Sequence, residues 1–278
     1  MQSTQYGLHE QVPFDQYQQW PAVSKHQLDL IARSPAHFQA AKENPPEVTH
    51  AMQFGTAAHT WILEPEQAVT EIAVRPKYDR RTKAGKEMAA EFEVNNHGKT
   101  IITEEDARHI AHMAGAVSQH PLANGLVKSA HHIEASVMHR HTIGVDTRCR
   151  PDIIGQDIVV DLKTSYDGSR NAFAKTMHKY RYHVQAAFYL DLLQGEGLVG
   201  PSAQFVFLVV EKLPPYGVAL YAVTPDDVDR GRLEYEADLI RYKHGMETGD
   251  WPGYSRAIDY IALPAYARKE IDLRTNNE

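Results

Sequence analysis

Two carboxylates and an ammonium lie close together in the stretch Arg150-Pro151-Asp152-Ile153-Ile154 and Asp161-Leu162-Lys163-Thr164. Between them, Gly155-Gln156-Asp157 is a turn signal and Ile158-Val159-Val160 a β-branched run, so the stretch reads as a hairpin. Side chains alternate faces along a strand, which puts Asp161 and Lys163 on one side. A register that sets Asp152 across from them would gather two acids and a lysine at one point. Two carboxylates can hold a hard cation such as Mg²⁺. A lysine beside them can orient or help deprotonate an attacking water, or offset charge on a phosphate. That is equipment for metal-dependent phosphodiester chemistry. The plainer alternative is a solvated strand face, but an acid that follows a strongly apolar run is not guaranteed water, and a half-buried carboxylate needs a partner.

Other residues extend the set. Gly55-Thr56-Ala57-Ala58-His59-Thr60-Trp61 reads as helix, with His59 in a surface of small residues; a helical histidine by itself is usually a packed, hydrogen-bonded one. Tyr182-His183-Val184-Gln185-Ala186-Ala187-Phe188-Tyr189 reads as a second helix, with Gln185 and Tyr189 one turn apart on one face. Glu134, in Ile133-Glu134-Ala135-Ser136, is a further acid for the same point or a solvent-facing strand residue. Ser24 and Arg150 are candidates for phosphate contact, while Asp157 and Asp167 sit at turns and are set aside.

Taken in order, G-x-x-x-H, P-D, D-x-K and Q-x-x-x-Y resemble the PD-(D/E)-x-K nuclease superfamily. More narrowly, the chain is similar to the RecE-type exodeoxyribonuclease VIII family of phage and prophage recombination systems. The segment Val23-Ser24-Lys25-His26-Gln27-Leu28 through Ser34-Pro35-Ala36-His37-Phe38 fits that family's opening helix. The resemblance covers about residues 20 to 245, and its motifs are specific in combination and weak singly. Asp161 stands where the commonest superfamily pattern has Glu. The resemblance implies an α/β fold, with a restriction-endonuclease-like core of mixed central sheet flanked by helices and an N-terminal helical elaboration. It implies His59 as a metal ligand with Asp152, Asp161 and Glu134, and Lys163, Gln185 and Tyr189 as their catalytic companions. Two Mg²⁺ ions (or Mn²⁺) would assist hydrolysis by activating water and stabilising the leaving oxygen. The family's activity is 5′→3′ digestion of one strand of linear double-stranded DNA, leaving 3′ single-stranded tails. A ring-shaped homo-oligomer and a single-strand-annealing recombination protein as partner are further implications. Rival readings are a structure-specific or nicking endonuclease with the same site, a non-catalytic DNA-binding relative, and a hydrolase of small phosphate esters.

At 278 residues, 42% hydrophobic and 23% charged, the chain has an ordinary globular composition and enough length for a large core. No apolar run approaches a membrane span and the N-terminus lacks a signal-peptide layout, so a cytoplasmic home is expected. The single cysteine, Cys149, fits a reducing compartment, reads as a packing residue, and excludes a four-cysteine iron–sulfur cluster within one chain. A net charge of −7 argues against a simple nucleic-acid coat. One local basic cluster stands out: Arg75, Lys77, Arg80, Arg81, Lys83 and Lys86, interrupted by Asp79 alone among acids. It is either a solvated face or a basic arch that tracks the phosphate backbone through Arg80, Arg81 and Lys83. Lys175, His178, Lys179, Arg181 and His183 form a weaker cluster.

The elements that must position these residues follow from periodicity and punctuation. Residues 1–20 read as an extended arm, 21–265 as one catalytic domain, and 266–278 as a polar disordered tail. Helices are expected from Ser24 to about Ala41, His50–Leu63, Lys83–Val94, Glu104–Ser118, after Pro121, Asn171–Lys179, His183–Leu193 and from Pro225 to about His244. Strands are expected near Glu71–Val74, then Ile133–Arg140, Val145–Ile154 and Ile158–Thr164 as a meander, then Gln204–Glu211 and Val218–Thr224. Gln204–Glu211 is nearly all apolar and so should be central.

Overall fold

A computed structural model describes residues 5–79, 81–255 and 257–275. The chain opens with β1 (Gly7–His9), α1 (Phe14–Gln18) and β2 (Val23–Ser24), which leads directly into α2 (Lys25–Arg33). Ser24 and Gln27 cap α2 reciprocally: Ser24 Oγ accepts from the Gln27 N–H, and the Ser24 N–H donates to Gln27 Oε1. The single helix expected from Ser24 to about Ala41 is two, α2 and α3 (Pro35–Glu43). Ser34 is extended (φ −173°, ψ 151°), because a following proline disfavours helical backbone. After α4 (His50–Leu63), Pro65 does more than stop the helix: it starts α5 (Pro65–Glu71) as its first residue. A parallel pair, β3 (Ile72–Arg75) and β4 (Thr100–Thr103), brackets α6 (Lys83–Asn95); β4 was not expected. α7 (Glu104–Gln119) and α8 (Pro121–Lys128) complete this half.

The second half runs β5 (His132–Ile133), β6 (Ser136–Arg140), β7 (Asp146–Cys149), β8 (Ile153–Ile154), β9 (Ile158–Ser165), α9 (Arg170–Lys179), α10 (Tyr182–Gly195), β10 (Gln204–Glu211), β11 (Val218–Ala222), α11 (Pro225–Thr248) and α12 (Ala265–Thr275). The main sheet has the order β11-β10-β9-β8-β5, with β9 and β10 parallel and the other pairs antiparallel. The expected three-strand meander is therefore corrected. Its first two strands form one long hairpin that kinks midway, so that β5/β8 belong to the main sheet and β6/β7 to a second sheet of order β1-β6-β7-β2. The kink has two local causes. Pro151 has no N–H to give a ladder, and Glu134 is left-handed (φ 50°). One hydrogen bond, Glu134 N–H to the Asp152 carbonyl at 3.1 Å, carries the pairing across.

Residues 5–20, expected as an extended arm, are tied to the second sheet. β1 pairs with β6, and the buried Arg148 guanidinium donates to the carbonyls of Tyr17, Gln18 and Trp20. The tail expected to be disordered from 266 is helical through Thr275, without a buried side chain.

The sheet is covered on both faces. Val159, Phe205, Phe207 and Val209 pack under α10 and α11, and Val160, Leu162, Leu208 and Val210 under α4 and α7. Each such burial contributes about 1.5–3 kcal/mol. A one-residue slip of β9 would exchange Asp161 and Lys163 with Val160 and Leu162, so the core pattern fixes which face carries the acid and the lysine.

Candidate metal centre

Asp152 follows the kink and turns its side chain across to β9, where Oδ2 accepts the Leu162 N–H at 2.5 Å. On the other side of that oxygen stands His59 of α4, with Nδ1 3.4 Å away. His59 Nδ1 is also 3.9 Å from Glu134 Oε1. Among the described residues, one ligand atom each from His59, Glu134 and Asp152 can be chosen so that all three lie within 4.8 Å of one another. The left-handed backbone of Glu134 aims its carboxylate there, and the Glu134 carbonyl is held by Arg150 Nε at 2.9 Å. Thr49 caps α4, and Ala57 and Ala58 are fully buried. Those small side chains let the helix approach the sheet closely enough for His59 to arrive.

Asp161 and Lys163 share the neighbouring face of β9, as their spacing predicts. Lys163 Nζ lies 2.5 Å from Asp161 Oδ2, and Gln185 Nε2 donates to Asp161 Oδ1 at 2.5 Å. Asp161 is not one of the three clustered donors. Its oxygens are turned to Lys163 and Gln185, and it joins the group through the field it shares with Asp152 and His59.

Burial pulls the His59 imidazole toward neutrality, but Asp152 and Glu134 outweigh it and lift its pKa to about 9. Burial and the Asp152 charge push the Glu134 carboxyl up to about 8. Asp152 goes the other way: burial is opposed by His59, Lys163 and the Leu162 N–H, which hold it below the usual carboxylate range. Burial and Asp152 raise Asp161 despite Lys163. Burial works against the Lys163 ammonium, yet Asp161 holds its pKa above the ordinary value. With no ion bound, neutral pH therefore leaves Glu134 largely protonated and His59 largely an imidazolium. Two carboxylates and an imidazole suit a divalent ion. The residues present fit such an ion.

The remaining expected site residues are placed as follows. Tyr189 sits one turn after Gln185, half-buried and edge-on to Phe205, and burial together with the Tyr17, Asp161, Cys149 and Asp152 charges pushes its phenol well above the ordinary value. The Ser24 hydroxyl is engaged in the α2 cap. Arg150 is spent on structure: it donates to the Glu134 and Val12 carbonyls and lies over the Phe14 and Tyr17 rings. Arg81 and Lys83 are about nine-tenths exposed, Arg81 paired with Asp79 at 3.0 Å and Lys83 3.8 Å from Glu87. Arg80 lies outside the described residues. A residue the sequence reading missed is Tyr182, whose ring lies 4.5 Å from Lys163 Nζ. Its signal was available, since Tyr182 precedes Gln185 by one helical turn. Asp157 and Asp167, set aside as turn residues, stand outside the group.

A kinked hairpin presenting P-D and D-x-K across a mixed sheet, joined by a helical histidine and glutamine, defines a domain of the PD-(D/E)XK type. The chain belongs to the family described as PDDEXK-like domain of unknown function (DUF3799), whose model matches residues 24–264. Its fold is similar to that of a Eubacterium rectale protein provisionally named an exonuclease, with a TM-score of 0.59, 12% identity, 94% of this chain covered and 98% of that one. A phage-related exonuclease from Haemophilus somnus 129PT aligns with a TM-score of 0.31 and 12% identity, over 82% of this chain and 96% of that one. No curated protein matches in sequence. No described helix is long and apolar enough to cross a membrane.

Proposed function

We propose that this protein is a Mg²⁺-dependent exodeoxyribonuclease that acts 5′→3′ on one strand of linear double-stranded DNA and leaves 3′ single-stranded tails. The observation that carries the hydrolytic part is the clustering of His59, Glu134 and Asp152 beside the Asp161–Lys163 pair. The exonuclease name of the similar Eubacterium rectale structure supports an end-dependent substrate, and the RecE-type motif order supports DNA. Supply of the tails to a single-strand-annealing recombination protein, and assembly as a homo-oligomeric ring, extend the same reading.

His59, Glu134 and Asp152 would hold the ion, with Asp161 adjoining. When bound, such an ion lowers the pKa of a water and cancels charge at phosphorus. The chain's own residues do the rest. Asp161 and Gln185 fix Lys163 in place, and Asp161 keeps it protonated. Lys163 would therefore act as a charge against a phosphate oxygen and as a donor that orients water. The Leu162 N–H fixes the Asp152 carboxylate. The covering cores under α4 and α10 keep the field undiluted by water.

The test is digestion of 5′-labelled linear duplex and of closed circular DNA, with Mg²⁺ or EDTA, by the wild type and Lys163→Ala. Release of nucleotides from linear DNA alone, only by the wild type and only with Mg²⁺, is the expected result. Equal attack on closed circles would replace the end-dependent reading with an endonuclease. Digestion in EDTA would overturn the metal-dependent scheme.

A further inference from the structure

The turn between α9 and α10 carries two tyrosines and a lysine that the mechanism above does not use. The Tyr180 and Tyr182 rings stack, with centroids 5.7 Å apart and planes 23° apart. Lys163 Nζ lies 4.5 Å from the Tyr182 centroid, and Lys179 Nζ lies 5.2 Å from that of Tyr180. The row thus runs from the catalytic ammonium outward through Tyr182 to Tyr180, whose side is 51% exposed.

This arrangement is built against a cost. Residues two apart meet here because Arg181 between them is left-handed (φ 53°, ψ 43°), a conformation that costs a non-glycine residue roughly 1–2 kcal/mol. Three carboxylates hold it there: Asp29 and Glu234 at 3.0 Å each, and the nearly buried Asp238 at 2.6 Å. Lys25 adds a hydrogen bond to the Tyr180 carbonyl at 2.8 Å and an ion pair to Asp29. Packing alone does not call for the half-exposed Tyr180 ring. Over-determined strain that holds a half-exposed aromatic ring one stacked neighbour away from a catalytic group, with only the flexible Lys179 ammonium over it besides, is the pattern of a ligand clamp.

We propose that Tyr180 is a stacking platform for an unpaired nucleobase beside the scissile phosphate, with Lys179 serving the phosphate of that nucleotide. The inference rests on the nuclease reading and narrows its substrate to DNA whose terminal bases are open, frayed or single-stranded. Every base offers a π-face, so the contact is tolerant of sequence. The tyrosine stack sets how far the base stands from Lys163.

The experiment measures binding to a duplex with an unpaired 5′ end, with Ca²⁺ replacing Mg²⁺ so that the DNA survives. One version carries 2-aminopurine in the unpaired positions and the other abasic sugars. The wild type is expected to prefer the base-bearing end by about 10-fold or more, with 2-aminopurine fluorescence quenched. Tyr180→Ala should bind both ends equally, at the abasic level, while Tyr180→Phe and Tyr180→Trp keep the preference. An unchanged base-to-abasic ratio in Tyr180→Ala overturns the platform, as does a Tyr180→Phe variant that behaves like Tyr180→Ala. If the wild type digests linear duplex but the ratio does not move, the platform alone falls. If the wild type binds none of these DNAs, the nuclease reading falls with it.

Discussion

Divalent-ion binding should release about two protons at neutral pH, because two of the three clustered donors are protonated when no ion is present. His59 titrates at about 9 and Glu134 at about 8, and both must lose a proton to become ligands. Because the two titrate as a pair, apparent Mn²⁺ affinity should rise steeply from pH 6 to pH 8, by about 10-fold or more per unit, and level off above about pH 9. Calorimetric titration with Mn²⁺ in two buffers of different ionisation heat counts the protons directly. Glu134→Gln should lower the count to about one and bind more weakly, since an amide oxygen replaces a carboxylate. A pH-independent affinity, or fewer than one proton released by the wild type near neutrality, would refute the charge assignment of His59 and Glu134.

Other perturbations probe the supports. Gln185→Leu leaves Asp161 Oδ1 buried without its donor, which should cost about 1–3 kcal/mol in urea unfolding and reduce nuclease activity through a loosened Lys163. Unchanged stability would mean that the bond is not made. At Gly231, an added Cβ would stand 2.3 Å from the His183 carbonyl oxygen and 2.7 Å from its carbon. Gly231→Ala must therefore push α11 away from α10, and we expect a loss of about 1–3 kcal/mol in thermal unfolding. The exposed pair Arg81 and Lys83 tests the basic arch: the double change to Glu should weaken DNA binding uniformly across sequences and flatten the slope of log affinity against log salt by about 2. An unaltered slope would assign the segment to plain solvated surface.

How far the site was legible depends on the range of the contact. Asp161 and Lys163 are neighbours by strand alternation, and the hydrophobic run of β9 reveals which face is which. Gln185 arrives because α10 is apolar nearly all round and can only lie on the sheet. Two features escaped because they depend on unusual backbone. The left-handed Glu134 splits an apparently continuous strand, and nothing in Ile133-Glu134-Ala135 marks it, since left-handed backbone is signalled by glycine or asparagine. Arg181 is the same case, with its three carboxylate partners drawn from α2 and α11, far away in sequence. Arg150 stands next to Pro151-Asp152. Its charge is used to tie the segment after β1 to the kink, which only the folded hairpin shows. The Ser34–Pro35 break, by contrast, was available from the proline alone.

The kink also predicts that the apo protein is more stable without one of its own ligands. The Glu134 carboxyl titrates at about 8 when folded against an ordinary 4.5, so the folded state binds the extra proton and stability falls as pH rises between those values. The His59 contribution, with its pKa at about 9 against 6.5, is complete below the lower value and disappears as pH rises to the higher. Wild-type stability without metal should therefore decline steadily from mildly acid to alkaline pH. Glu134→Gln removes the larger share of that decline. Allowing for the partial exposure of Glu134, it should stabilise the metal-free protein by about 2–3 kcal/mol at pH 7, and by little near pH 5. Glu134→Gly should add to this by relieving the left-handed backbone, about 1 kcal/mol more. Saturating Mn²⁺ should reverse the order, since only the wild type offers the full donor set and gains the binding energy. Urea unfolding of the three proteins at acid and neutral pH, with and without Mn²⁺, separates the terms. If Glu134→Gln were no more stable than the wild type at pH 7 in EDTA, Glu134 would not be the proton-laden, cation-seeking acid that the geometry of the kink makes it.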